Sequence, residues 1–202
     1  MYMDLIKIDI SIIITLSVQI FAIMDPLAAL PPLIEVIADL KPSDARRMIN
    51  RAAIAIFILL TLFSIAGGII LSIFGLSISS LKIAAGVILM ATAIDTLITG
   101  HKPEKINVGE YIIVPIATPL IVGPGTMTLL ITASRLYGII NTLIAAYIAF
   151  IATYIILLIS QNIVRLTGTT FVNGIGRFMS IIIASFAVEM FVSGIREILA
   201  IQ

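Results

Sequence analysis

Two stretches of this chain, Ala52 to Ile73 and Leu136 to Val164, contain no charged residue. Runs that long settle the solvent, because a bilayer's hydrocarbon core is about 30 Å thick and takes roughly 20 apolar residues per helix. Inside lipid every backbone polar group must be satisfied within the protein, which leaves helices and closed barrels; uninterrupted apolar runs read as helices. Composition agrees: 60% of residues are hydrophobic and 11% charged, against about 25% charged in soluble domains, and mean hydropathy is +1.22. After loops, 202 residues accommodate about six spans. The expected fold is an all-α, multi-pass membrane protein.

The two uncharged runs are the second and fifth helices. A third follows from Ile83 to about Thr99 and a sixth from Ile175 to about Ile198, each holding one carboxylate, Asp95 and Glu189. The first and fourth segments, Ile8 to about Ala38 and Tyr111 to about Ser134, are long enough to span but carry Pro26, Pro31 and Pro32, or Pro115, Pro119 and Pro124. Proline removes an intrahelical hydrogen bond and clashes with the preceding turn, so both are expected to be discontinuous helices. The amino-terminal segment carries Asp4 and Asp9 and no small-x-small cleavage site precedes Asp25, so it reads as a retained first span rather than a signal peptide.

The breaks repeat. Asp25-Pro26-Leu27-x-x-x-Pro31 and Thr118-Pro119-Leu120-x-x-x-Pro124 match at an offset of 93 residues, and Lys82 to Asp95 parallels Arg177 to Glu189 at nearly the same spacing. The chain is expected to be one transmembrane unit over residues 1–202, with repeat one at 1–100, a loop at 100–110 and repeat two at 111–202. Three spans per repeat turn the second copy upside down, the inverted-repeat plan of many transporters. Lys41, Arg46, Arg47, Arg51, Lys102, Lys105, Arg165 and Arg177 fall on one side, and Lys7, Lys82, Arg135 and Arg196 on the other. The richer side is expected to be cytoplasmic, with both termini outside the cell membrane.

Irregular backbone at membrane depth is tolerated only where it is buried in protein or lines a water-filled cavity, so two breaks imply a cavity. Helix ends there present free carbonyls and free amides, carrying roughly −0.5 and +0.5 charge, which together suit a zwitterion. In the second break, a half-helix starting around Pro124 to Thr126 would expose the amides of Gly125, Thr126 and Met127 beside the hydroxyls of Thr126 and Thr128. The bland alternative is a kink whose glycines, Gly123 and Gly125, permit close helix packing. In the first break, Asp25 before Pro26 reads as an N-cap with proline at the first helical position. It also reads as a contact for an ammonium group or coupling ion, since carboxylates at bilayer depth mark substrate and proton pathways. The candidate substrate-binding set is therefore Asp25, Pro26, Thr118, Gly123, Gly125, Thr126 and Thr128. Asp25, Glu189 and Asp95 are the coupling candidates, with interfacial snorkelling the alternative for Glu189 and exposure near Gly100 for Asp95.

Other chemistries lack their residues. No cysteine is present, and the single His101 lies in a polar stretch with Lys102 and Glu104, so thiol chemistry and a histidine metal site are not expected. No P-loop lysine motif or G-x-S-x-G elbow occurs, and an enzyme is not expected. A net charge of +1 without a basic cluster gives no case for nucleic acid. With no nucleotide site or cofactor expected, transport would run on a proton, ion or substrate gradient.

The motifs Met24-Asp25-Pro26-Leu27 with Pro31, Pro115-x-x-x-Pro119-Leu120-Ile121-x-Gly123-Pro124-Gly125, Lys82-Ile83-Ala84-Ala85-Gly86, and Gly176-Arg177-Phe178-Met179 leading to Ala187-Val188-Glu189-Met190 resemble the MarC family of integral membrane proteins. Within it they resemble the archaeal neutral amino-acid transporters. The resemblance spans the whole chain and implies six helices in two inverted repeats, the first and fourth discontinuous around a small-substrate site. It also implies transport of glycine, alanine and similar amino acids, coupled to protons or cations. One departure stands out: the family pattern Asp-Pro-x-Gly-Asn-x-Pro is broken by Ala28 and Ala29, removing a polar contact for which the Thr126 hydroxyl would compensate. A small-solute or ion channel and a non-transporting membrane subunit are the competing readings, and oligomerisation is left open.

Overall fold

A computed structural model describes residues 8–37, 40–99 and 121–200. The loop at 100–110, His101, Thr118 and the Pro115 and Pro119 positions lie outside the described residues. Among those described the protein is all-helical, with no strand.

Helix α1 (Ile10–Met24) is capped by Asp9, whose carboxylate accepts from the Ile12 amide at 3.1 Å, an ordinary N-cap bond. It stops at Asp25 because Pro26 has no N–H to continue the ladder. A turn over residues 26–29 follows, then α2 (Leu30–Ile37). Pro31 and Pro32 fall in the first turn of α2, where a missing amide costs nothing. Helix α3 (Pro42–Ile73) begins ten residues before the uncharged run that announced it. Pro42 and Asp44 form its first turn, and Arg46, Arg47 and Arg51 ride on an extension the hydrocarbon core does not need. Gly75, with φ 65°, makes the reversal into α4 (Ile78–Thr99).

The second half resumes with α5 (Pro124–Tyr137), whose N-cap is Gly123 and whose first residue is proline. Gly138 (φ 83°) links it to α6 (Ile139–Leu158). The expected fifth helix is interrupted at Ile159, after which α7 (Ser160–Thr167) and, beyond Gly168 (φ 81°), α8 (Thr169–Ala200) complete the described chain. Among the described residues, four helices are long and apolar enough to cross a bilayer: α3, α4 over Ile78–Ile98, α6, and α8 over Thr170–Ala200. The shorter α1, with 15 residues, reaches only about 22 Å at 1.5 Å per residue. This is the arithmetic of a broken span.

Cross-chain contacts fix the direction of each helix. The Asp9 amide donates to the Asn141 side chain at 3.1 Å, which puts the starts of α1 and α6 on one face. Thr61 hydrogen-bonds Tyr147 at 3.1 Å and the Tyr154 hydroxyl donates to Asn50 at 2.9 Å, so α3 and α6 run antiparallel. Helices α4 and α8 also run antiparallel, and glycines let their backbones touch. A Cβ on Gly86 would sit 2.7 Å from the Ala187 carbonyl oxygen, and one on Gly194 2.7 Å from that of Ser79, the small-residue packing common between membrane helices. Lys82 and Glu197 form an ion pair at one end of this pair. We call the face bearing Asp9, Gly75, Gly138 and Glu197 the amino-terminal face.

The buried apolar residues divide into two clusters. The larger one joins α1, α2, α3, α5 and α6 through residues such as Ile20, Leu33, Ile56, Leu130 and Ala146. The smaller one, Leu89, Ala93, Ile183 and Ala187, belongs to α4 and α8 alone. Outward faces remain apolar, with Ile58, Ile65 and Ile151 about half exposed, as expected where lipid is the solvent.

Candidate functional site

The two breaks meet. A cavity of about 230 Å³ is lined by Asp25, Ala28 and Ala29 from the first break and Gly123, Pro124, Gly125 and Thr126 from the second. Its remaining wall comes from Ile23 of α1 and from α4 and α8, chiefly Leu89, Thr92, Ala93, Thr96 and Ile183. On α4 these positions follow the i, i+3, i+4, i+7 stripe that presents one face of a helix.

Asp25 adopts a left-handed conformation, φ 40° and ψ 61°, the one described non-glycine residue with positive φ. Aspartate tolerates that region because its short side chain bonds locally. Here Oδ1 accepts from the Ala28 amide at 3.2 Å, and the Asp25 N–H closes α1 on the Phe21 carbonyl at 3.2 Å. The capping expected of Asp25 is present in its bonds, with Oδ1 accepting from Ala28 and the carbonyl accepting from the Ala29 amide at 3.3 Å, but it covers a single turn: Asp25 ends α1 with left-handed backbone, and regular helix resumes only at Leu30. Pro26 accordingly sits in the turn rather than at a first helical position, and it is not part of the cavity lining. The second carboxylate oxygen, Oδ2, is buried with no hydrogen-bond partner among the described residues. Asp25 is 5% exposed, and such an oxygen calls for a donor.

Across the cavity, α5 presents its first turn. Proline at its first position has no N–H, and Gly125 and Thr126 carry the next two amides, for which the helix supplies no carbonyl. The Met127 amide, expected to be free, instead donates to the Gly123 carbonyl at 3.0 Å, because Gly123 is the cap and the helical ladder starts with it. Both threonine hydroxyls are committed to backbone. Thr126 Oγ1 donates across the break to the Ile121 carbonyl at 3.2 Å, and Thr128 Oγ1 donates within its own helix to the Pro124 carbonyl at 2.7 Å. Thr126 thus offers a ligand its amide, and its oxygen only as an acceptor. Thr128 faces elsewhere, lining a second hollow with Gln19, Lys82 and Glu189. Asp95 is exposed, one residue off the α4 stripe, and it lines neither hollow.

Sequence reasoning missed the α4 wall. Thr92 and Thr96, four residues apart on one face of α4, were the available signal. Their hydroxyls donate to the Ile88 and Thr92 carbonyls at 2.9 Å each, leaving acceptor lone pairs toward the cavity. The space itself depends on Gly125, where a Cβ would come within 2.5 Å of Leu89 Cδ1.

With this geometry in view, similarity to known proteins has a place to act. The sequence pattern of MarC family integral membrane proteins matches residues 10–199. The chain belongs to the MarC family. It is similar to the UPF0056 inner membrane protein YhgN of Escherichia coli K12, with 32% identity covering 91% of this chain and 96% of that protein. A UPF0056 membrane protein of Archaeoglobus fulgidus is likewise 32% identical, over 88% of this chain and 89% of its own. No solved structure matches the chain. Like these MarC relatives, the protein is an integral membrane protein with several apolar helices, and both breaks and the α4–α8 pair lie inside the matched region.

Proposed function

We propose that this MarC protein is a secondary transporter of small neutral amino acids, of the glycine and alanine class, working by alternating access with proton or cation coupling. The observation that carries the reading is the buried, unpartnered Oδ2 of Asp25, a residue that lines one cavity with the amide-rich first turn of α5. A carboxylate for an ammonium group and helix-end amides for a carboxylate complement a zwitterion. Size narrows the class: about 230 Å³ falls below the roughly 300–1,000 Å³ of drug-sized sites. Ala28, Ala29, Leu89 and Ala93 leave apolar space for hydrogen or methyl and little more. The resemblance to archaeal neutral amino-acid transporters supports the same substrates. Antiparallel α4 and α8, matched as the third helices of two halves, support six spans in inverted repeats. The distribution of Lys and Arg supports both termini outside a cell membrane, and no catalytic step is part of this reading.

Counterflow tests it. Purified protein in liposomes preloaded with unlabelled glycine should take up labelled glycine faster than in empty liposomes, whereas equal rates would replace the carrier with a channel. Absence of any glycine-dependent uptake or thermal stabilisation would leave a non-transporting membrane subunit. For coupling, Asp25→Asn and Glu189→Gln should each abolish gradient-driven accumulation, and wild-type accumulation in both variants would remove both from the relay.

A further inference from the structure

The second hollow, about 180 Å³, is lined by Gln19, Ile23, Lys82, Thr132, Glu189 and Ser193 among others. Its relation to the central cavity follows from helix direction. From cavity to hollow, α1 steps back from Asp25 to Gln19 and α4 from Ala93 to Lys82, while α5 steps forward from Gly125 to Thr132 and α8 from Ile183 to Ser193. Helices α1 and α4 begin on the amino-terminal face and α5 and α8 end on it, so all four displacements point the same way. They amount to roughly 9 to 17 Å of helix at 1.5 Å per residue. The two spaces are stacked along the membrane normal, and Ile23, only 5% exposed, lines both.

The chemistry of the hollow is unlike that of a packing defect. Lys82 pairs with Glu197 and donates to Ser193 at 3.3 Å, and Glu189 is exposed. Thr132 Oγ1 is buried without a partner among the described residues. A buried hydroxyl without a partner is costly to leave so, and this one calls for water or a polar solute. Glu189 and Lys82, the latter shared with Glu197, bring opposite charges to a lining that also holds Gln19, Thr132 and Ser193, groups that suit the two ends of a zwitterion.

We infer that this hollow is an outer binding site for the same small zwitterion, opening toward the amino-terminal face, and that Ile23 is the partition a solute must pass to reach Asp25. The inference rests on the transporter reading for the identity of the solute, whereas the path itself can be read without any transport. The native chain has no cysteine, so single-cysteine variants report directly. Thr132→Cys and Ser193→Cys in proteoliposomes should react with a membrane-impermeant, charged methanethiosulfonate reagent from one side only. Their rates should be about ten-fold or more above that of Ile65→Cys on the lipid-facing side of α3. Ala93→Cys in the central cavity should react about ten-fold faster when Ile23→Ala is added. Saturating glycine should slow labelling at Thr132→Cys. Rates at both hollow positions equal to the Ile65→Cys rate, or equal from both sides, would overturn the path, and an unchanged Ala93→Cys rate would remove Ile23 as its partition. One-sided labelling that glycine leaves untouched would instead overturn the solute and keep the path.

Discussion

At the scale of single residues, Asp25 joins backbone and chemistry in one side chain. Its left-handed conformation is cheap for Asp or Asn and costs other L-residues roughly 1–2 kcal/mol. Asp25→Asn therefore keeps the turn and, through its amide oxygen, the bond from Ala28, while it removes the charge and puts an NH2 donor in place of the unpartnered oxygen. Hydrogen bonds to charged groups are worth about 1.5–3 kcal/mol, so glycine affinity in that variant should fall by about ten- to a hundred-fold, measured by calorimetry, with thermal stability of the free protein nearly unchanged. An equal loss of free-protein stability would make Asp25 structural. Gly125 offers the complementary test. An added methyl meets the flexible end of Leu89, which can yield only into the cavity, so Gly125→Ala should weaken alanine binding more than glycine binding. Asp25 was legible because a carboxylate beside a proline in an apolar segment has few readings. Thr92 and Thr96 were not, since a threonine pair that bonds its own helix is ordinary in membranes. The Met127 amide was misassigned because the cap residue, Gly123, is fixed by backbone conformation rather than by residue type.

At the scale of elements, helix existence followed from hydropathy and helix ends did not. Helix α3 overran its uncharged run because charges do not stop a helix that has left the hydrocarbon; Pro42 does. The interruption at Ile159 carried no sequence signal. Its N–H still bonds the Ile155 carbonyl at 3.0 Å, so the departure from helix is slight and falls where Ser160 begins a more polar stretch. The α4–α8 contact is the element-level feature most open to test. At Gly86 the nearest atoms to an added carbon are backbone, and at Gly194 the Ser79 carbonyl oxygen is as close as Ile83 Cγ1, each at 2.7 Å, so a side-chain shift alone cannot make room, and overpacking of that kind costs about 1–3 kcal/mol. Gly86→Ala and Gly194→Ala should each lower thermal stability in detergent. Gly174→Ala, with nothing within 4 Å of the added carbon, should not.

At the scale of the whole molecule, the two apolar clusters define two bodies. The α4–α8 pair holds its own small core, and α1, α2, α3, α5 and α6 hold the larger one. The central cavity has Leu89, Ala93 and Ile183 on one wall and Asp25, Ala28 and Gly125 on the other, so it lies in the seam between them. Sequence alone pointed to the breaks but not to this seam, because which helices share a core is decided by contacts far apart in the chain. The described links into the pair, Gly75 before α4 and Gly168 before α8, are both glycines at positive φ with open space around them. In mechanical terms the pair is a strut on loose joints, held mainly by the wall it shares with the cavity. A solute bridging that wall acts as mortar. Glycine at about a hundred times its dissociation constant should add about 2.7 kcal/mol to folding, and in hydrogen exchange the added protection should concentrate on α4 and α8. If protection instead spread evenly over all helices, the strut would be fixed, and the seam no more than a place where a solute rests.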